Sequence, residues 1–455
     1  MASPGAIVRW RPGPSAYAVG SAPRSRCELR LFGEAATDTK LIRKFIGLMM
    51  ALLVAVFFAP KSFAQNLPGS SSGAGQSDLP SLRPTETLSA PNNVAIFGSF
   101  QSGISGLTIS PDGERLAAYV LDGLRIITWS PDGKYQRDFP RYTSSGPESH
   151  VLGFLSGHRI LISSPAADTN DPEGWSKIED VAFSVLDADT GQVLHNVPGP
   201  RPAGRSNENA AIDMAISPDE RLVAVIFRDF VQRRIGIFAT DNWRQVAALD
   251  LHTGEADDDL DPVALAFAPD GMTLAVAHGR KGRIKFYEVG SWKQLRSLAT
   301  FPETPPPMDV LLLDAIAFSP DGSLVAVASH GGGSWWVSKD GHPVEEGFGT
   351  LKQIFPADPL RVYRVSDGGL VGSLGGFPGG LASSAQLAWS KAGDYLAFLD
   401  AVGDVRFWNP HRPGRSIIGA HMGRHCKTIL FSTDGLRLFA NFPGGVSVFD
   451  VVQAR

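Results

Sequence analysis

The sequence predicts an all-β fold of seven repeats, on three observations. A short turn phrase occurs seven times, each time between two apolar runs. The copies are spaced by roughly 42 to 71 residues, and the shortest spacings match the ~40–45-residue period of a four-stranded propeller blade. Glycine and proline, 49 and 33 residues in number, are scattered among short alternating apolar runs, a pattern typical of strands rather than helices. We therefore expect a seven-bladed β-propeller of four-stranded blades.

The turn phrase, Ser-Pro-Asp-Gly in its clearest form, is suited to a tight hairpin. Proline presets φ, aspartate bonds the backbone ahead of it, and glycine accepts a positive φ. Each copy is therefore expected to join the first and second strands of a blade. The copy at Gly157 is eroded, and a six-bladed count stays open if it is not a blade. The last residues of the seven copies are Gly113, Gly157, Glu220, Gly271, Gly322, Gly393 and Gly435.

Third strands are expected at 124–129, 181–186, 234–238, 283–287, 361–365, 405–408 and 445–449. Two of them end in Arg406-Phe407-Trp408-Asn409 and Ser447-Val448-Phe449-Asp450, and Ala420-His421 precedes the last turn phrase. Together with the turn phrases, these endings resemble the WD-repeat β-propeller family, in an exported bacterial-type form, over about residues 92–455. The resemblance implies the architecture and says little about activity. Most blades lack the family's Gly-His pair, so rigidity is expected to come mainly from packing.

The last blade runs out of chain after its third strand. Only residues 451–455 remain beyond Asp450, too few for a fourth strand. An N-terminal strand is therefore expected to complete this blade and remove its open edge. Residues 93–98 carry a strand pattern and are predicted to fill that position.

The N-terminal part is expected to be an export signal rather than part of the fold. Residues 43–64 combine a basic start, an apolar run and a Ser62-Phe63-Ala64 ending, which is typical of a signal peptide cleaved after Ala64. The apolar run is shorter than the ~20 residues of a membrane span, so a retained anchor is the weaker alternative. Residues 1–42 are either a disordered extension or the result of a start codon assigned too early. Residues 65–91, rich in Ser, Gly and Pro, are expected to be a flexible linker. A periplasmic or secreted location follows, with no stable membrane span.

Charge and cysteine content narrow the functional classes. The formal net charge is −4, and loss of residues 1–64 would make it about −10, which argues against nucleic acid or anionic membrane as a partner. Two cysteines cannot form a disulfide framework. Cys426, beside His425, is either a thiol nucleophile or, as we prefer, a small residue at the start of a buried strand.

The long connections are predicted to collect on one face. In a propeller, the first-to-second and third-to-fourth turns share one face, here called the turn face. The remaining connections share the other, here called the insertion face. Insertions at 165–180 and 330–360 fall on the insertion face, and such long loops are usually functional or disordered. Tryptophan is enriched in contact hot spots. The candidate protein-binding residues are Trp175, Trp335, Trp336 and Phe348, although the adjacent tryptophans could instead cap the channel.

We expect a non-catalytic, monomeric scaffold that binds a protein or peptide through the insertion face. No catalytic residue, cofactor or metal ligand is assigned, because the ten histidines are dispersed along the chain. One alternative is a propeller hydrolase or lactonase with a site in the central channel, for which three or more carboxylates or amides should converge on one point. A second is a component similar to the Tol-system envelope propeller. That family has an additional N-terminal α/β domain, which the 65–91 linker is too short to supply.

Overall fold

A computed structural model gives the fold of the protein within one unit, Gly75–Arg455. The residues that the structure describes are 79–89, 104–120, 125–134, 136–139, 152–162, 181–199, 211–227, 234–249, 262–278, 282–300, 311–332, 334–337, 343–344, 350–353, 358–377, 381, 386–412, 415–423, 425–442 and 444–453. In these segments the chain forms a seven-bladed β-propeller of four-stranded antiparallel blades. No helix in them is long and apolar enough to cross a membrane.

The strands follow one another around the ring, and the first is a single N-terminal strand, β1 (Ser81–Ser89). Blade 1 contains β2 (Ile104–Ile109), β3 (Leu116–Val120), β4 (Arg125–Trp129) and β5 (Gln136–Phe139). Blade 2 contains β6 (Leu152–Leu155), β7 (Arg159–Ile162), β8 (Val181–Asp187) and β9 (Val193–Pro198). Blade 3 contains β10 (Ala211–Ile216), β11 (Leu222–Phe227), β12 (Arg234–Ala239) and β13 (Gln245–Leu249). Blade 4 contains β14 (Pro262–Phe267), β15 (Thr273–His278), β16 (Arg283–Glu288) and β17 (Gln294–Ala299).

The second half of the ring holds an inserted sheet and the closing blade. Blade 5 begins with β18 (Leu311–Phe318) and β19 (Leu324–Gly332). A separate three-stranded sheet follows, made of β20 (Ser334–Val337), β21 (Pro343–Val344) and β22 (Thr350–Gln353). Blade 5 then ends with β23 (Leu360–Arg364) and β24 (Leu370–Leu374). Blade 6 contains β25 (Leu387–Trp389), β26 (Leu396–Leu399), β27 (Asp404–Trp408) and β28 (Ser416–His421), and blade 7 contains β29 (Ile429–Phe431), β30 (Arg437–Phe442) and β31 (Gly445–Val452).

All seven turn phrases join the first and second strands of a blade, as predicted. The copy ending at Gly157 lies between β6 and β7, so the count is seven and not six. In the clear copies the serine hydroxyl donates to the aspartate, for example from Ser217 to Asp219 at 2.6 Å. The glycine position has a positive φ even where the residue is Glu220, at 56°. The predicted third strands are also found, with limits that shift by one or two residues in most blades.

An N-terminal strand does close blade 7, but residues 93–98 are not that strand. The position beside β31 belongs to β1, which pairs antiparallel with it from Ser81↔Val452 to Ser89↔Gly445. Residues 93–98 lie outside the described residues. The prediction missed β1 because its sequence is mostly polar. Its Leu88 is nevertheless buried in the core between blades 7 and 1. The linker expected at 65–91 therefore overlaps the fold by the length of β1.

The core is distributed around the ring. Within the described residues there are seven hydrophobic clusters, one at each junction between neighbouring blades. Second strands such as β11 and β15 are almost wholly buried, because a neighbouring blade covers each of their faces. Outer strands such as β17 alternate between exposed and half-buried residues. This explains why the second strands are continuous apolar runs in the sequence.

Candidate functional site

The four residues predicted to bind a partner are only partly described. Trp175 and Phe348 lie outside the described residues. Trp335 and Trp336 lie in β20, the central strand of the inserted sheet, where Trp335 is paired with Lys352 and Trp336 with both Leu351 and Val344. The 330–360 segment is thus not a simple loop. It extends β19 to Gly332 and then forms a small sheet of its own.

On the insertion face of the next blade, buried charges fix the turn between β26 and β27. Asp400 is fully buried and accepts a hydrogen bond from Arg406 Nε at 2.7 Å. Its other oxygen accepts from the backbone N–H groups of Val402 and Asp404. Asp404 in turn is 2.5 Å from His421 Nδ1. These contacts make a rigid polar turn beside the blade that carries the inserted sheet.

On the turn face, the seven turns form a ring in which neighbours pack closely. At five of the seven blade junctions, the second residue of one turn packs against the glycine of the next. A methyl group added to the glycine of three of these pairs would lie 3.4–3.8 Å from the proline ring. The pairs are Pro218–Gly271, Pro269–Gly322, Pro320–Gly393, Lys391–Gly435 and Thr433–Gly113.

Blade 2 breaks this ring because its turn lacks the proline and aspartate of the phrase. Towards blade 3, Ser156 donates its N–H and its hydroxyl to the carboxylate of Glu220, both at 2.7 Å. Towards blade 1, the described residues place no atom within 4 Å of a methyl group added to Gly157. Charged side chains meet at this junction instead.

The charged group at the junction of blades 1 and 2 centres on His158. Its Nδ1 is 2.7 Å from Asp189 Oδ2, and its Nε2 is 3.4 Å from Asp112 Oδ2. Arg115 Nε lies 3.3 Å from the other oxygen of Asp189. One carboxylate oxygen each of Asp112 and Glu114 and one ring nitrogen of His158 all lie within 4.8 Å of one another. The hydrogen bond to Asp189 raises the pKa of His158, while burial acts in the opposite direction.

A cleft of about 660 Å³ opens on the same face between blades 7 and 1, and Asp112 is part of its wall. Arg83 of β1 and Asp450 of β31 line it and form an ion pair at 2.8 Å. Arg437 also lines it and donates to the carbonyl oxygen of Pro131 at 3.3 Å. The turn face thus carries a polar cleft beside the His158 group.

Asp213 and Cys426 are titratable groups that lie within the fold. The carboxyl group of Asp213, on the innermost strand of blade 3, accepts a hydrogen bond from Leu265 N of blade 4 at 2.7 Å, and burial raises its pKa to about 7. Cys426 is 2% exposed, and burial raises the pKa of its thiol to about 12. The burial of Cys426 agrees with its interpretation as a small buried residue and argues against the thiol-nucleophile alternative.

Sequence reasoning missed the group formed by Asp112, Glu114 and His158. Asp112 and Glu114 come from the turn of blade 1, and His158 comes from the turn of blade 2, about 44 positions further along the chain, so no short linear motif links all three. A signal was present in the eroded phrase of blade 2, which has a histidine immediately after its glycine. Among the residues that the structure describes, these three side chains form the group whose ligand atoms lie close enough together to hold one metal ion.

Comparisons with known proteins add nothing to this geometry. No protein-family model matches the chain, and no curated protein matches it.

Proposed function

We propose that this protein is an exported, non-catalytic propeller of WD-repeat type that binds a protein or peptide through its insertion face. The observation that carries the proposal is the inserted sheet of β20, β21 and β22, which departs from the four-stranded blade pattern. Its central strand contains Trp335 and Trp336, a residue type enriched in contact hot spots. A propeller provides the rigid support that such a binding segment needs.

Blade 6 adds a fixed polar turn to the insertion face. The turn held by Asp400 and Arg406 is charged and fixed by four hydrogen bonds to or from neighbouring groups. His421, which pairs with Asp404 at the end of β28, is exposed and adds a polar side chain to this face. Interfaces commonly combine aromatic anchors with a polar rim of this kind.

Loss of both tryptophans is the direct test. Full-length protein would be immobilised, and captured proteins from a cell-envelope extract would be quantified by mass spectrometry. For the double variant Trp335→Ala/Trp336→Ala we expect retention of the partner to fall by about 30-fold, the equivalent of ~2 kcal/mol. The matched control is Met272→Ala/Val246→Ala, which removes two exposed apolar side chains outside the insertion face and should retain the partner.

Two results would contradict the proposal. Equal capture by the wild type and the tryptophan variant would place binding elsewhere. Unfolding of the tryptophan variant, seen by circular dichroism, would mean that the pair serves the fold. Export has its own test, since N-terminal sequencing of the exported protein should begin at Gln65, and an intact chain upstream of residue 43 would disprove cleavage.

A further inference from the structure

We propose that Asp112, Glu114 and His158 bind a divalent cation, with Zn²⁺ as the favoured ion, at the junction of blades 1 and 2. The site lies on the turn face and does not depend on the function proposed for the insertion face. It rests on the position, distances and charges of these side chains.

The distance between His158 Nε2 and Asp112 Oδ2 suits two ligands of one ion. At 3.4 Å it exceeds the range of about 2.7–3.2 Å for a well-formed N–H···O hydrogen bond. Zn²⁺ binds nitrogen and oxygen at about 2.0–2.2 Å, which separates two donors of a tetrahedral site by roughly 3.3–3.5 Å. Glu114 brings a third donor within 4.8 Å of the other two. Three protein ligands leave a fourth position open to solvent or to a small ligand.

Asp189 positions the histidine for this role. Its Oδ2 accepts a hydrogen bond from Nδ1 at 2.7 Å, which leaves the Nε2 lone pair directed towards Asp112 in the neutral imidazole. Arg115 contacts the other oxygen of Asp189 at 3.3 Å. Histidines that bind metals commonly have a carboxylate on their second nitrogen. Asp189 is therefore a positioning residue, and Arg115 neutralises its charge.

The charges and donor types select the ion. With Asp189 balanced by Arg115, the carboxylates of Asp112 and Glu114 together offset the two positive charges of the cation. One imidazole nitrogen with two carboxylates suits Zn²⁺, whereas Ca²⁺ and Mg²⁺ prefer sites made of oxygen alone. Asp112 and Glu114 are exposed and His158 is partly exposed, so an ion can reach the site from solvent.

The test is calorimetric titration of tag-free, full-length protein with ZnCl₂. We expect one site with a dissociation constant on the order of 1–10 μM. Glu114→Gln and His158→Gln should each weaken binding at least about tenfold, and Asp189→Asn should weaken it with little change in thermal stability. Asp321→Asn is the matched control, because Asp321 has the position in the blade 5 turn that Asp112 has in the blade 1 turn. It accepts a hydrogen bond from the Ser319 hydroxyl at 2.5 Å. This variant should bind Zn²⁺ as the wild type does.

Three outcomes would overturn the proposal. Absence of Zn²⁺ binding would leave the contacts of His158 as an ion-pair network between two blades. Equal binding by the wild type and by both Gln variants would place the ion at other residues. Tighter binding of Ca²⁺ than of Zn²⁺ in a parallel titration would contradict the assigned ligand set. Because Glu114 is exposed, its Gln variant should stay folded, and melting curves would verify this.

Discussion

Arg83 and Asp450 form an ion pair at 2.8 Å although 367 positions separate them in the chain. Arg83 lies in β1 and Asp450 in β31, and the two residues are direct partners in the antiparallel register. The pair marks the seam at which the first described strand of the chain completes the last blade. Ring closure at this seam removes a strand edge that would otherwise be open.

The first prediction concerns β1 as a whole. Deleting residues 79–89 should expose the edge of β31 and remove Leu88 from the core, causing aggregation or a stability loss of several kcal/mol. Size-exclusion chromatography and thermal denaturation would measure this. Deleting residues 66–76, a segment of the same length, should have little effect. Arg83→Ala should also cost under about 1 kcal/mol, because the arginine is 71% exposed. A monomeric deletion variant with an unchanged melting temperature would disprove the closure.

A second prediction tests how closely β1 approaches β31. Gly445 has a φ of 158°, and a side chain at this position would collide with the carbonyl oxygen of Leu88. Gly445→Ala should therefore lower the free energy of unfolding by about 2 kcal/mol or more. Gly376→Ala is the control, since Gly376 has a φ of 76° and faces open space among the described residues. Its cost should be about 1 kcal/mol from the backbone alone. Equal costs for the two variants would contradict the close approach.

The third prediction is a pH dependence that comes from Asp213. Its pKa rises from 3.8 in the unfolded chain to about 7 in the fold, because burial disfavours the charged form. The folded state therefore binds this proton more tightly, and the resulting stability is present below about pH 4 and is lost as the pH rises through 7. A shift of this size corresponds to at most ~4 kcal/mol, and we expect a loss of about 2 kcal/mol because Asp213 is only half-buried.

Asp213→Asn removes the titration and keeps an oxygen that can accept from Leu265 N. Urea denaturation of the wild type and the variant at several pH values would show the wild type losing stability relative to the variant between pH 4 and 8. A difference that stays constant over this range would show that Asp213 does not titrate there.

The fourth prediction concerns Cys426. Because the thiol is buried and its pKa is about 12, iodoacetamide at pH 8 should leave it unmodified in the folded protein and label it after denaturation. Mass spectrometry of the peptide that contains Cys426 would measure the labelling separately from Cys27. His425→Ala should not change the result. If native Cys426 were labelled rapidly, and the His425→Ala variant were labelled more slowly, the thiol would be reactive and the prediction would be wrong.

The sequence by itself determined the blades. Turn phrases such as Ser217-Pro218-Asp219 encode their conformation locally, through the φ of proline and the hydrogen bonds of aspartate. Continuous apolar runs such as β11 mark strands that are buried on both faces. Only the tertiary structure decided which segment closes the ring. Ser81–Ser89 has little apolar character, and it forms a strand because β31 offers it an unpaired edge. The same holds for Asp112, Glu114 and His158, which meet because blades 1 and 2 pack side by side. Local signals cannot report contacts that exist only between blades.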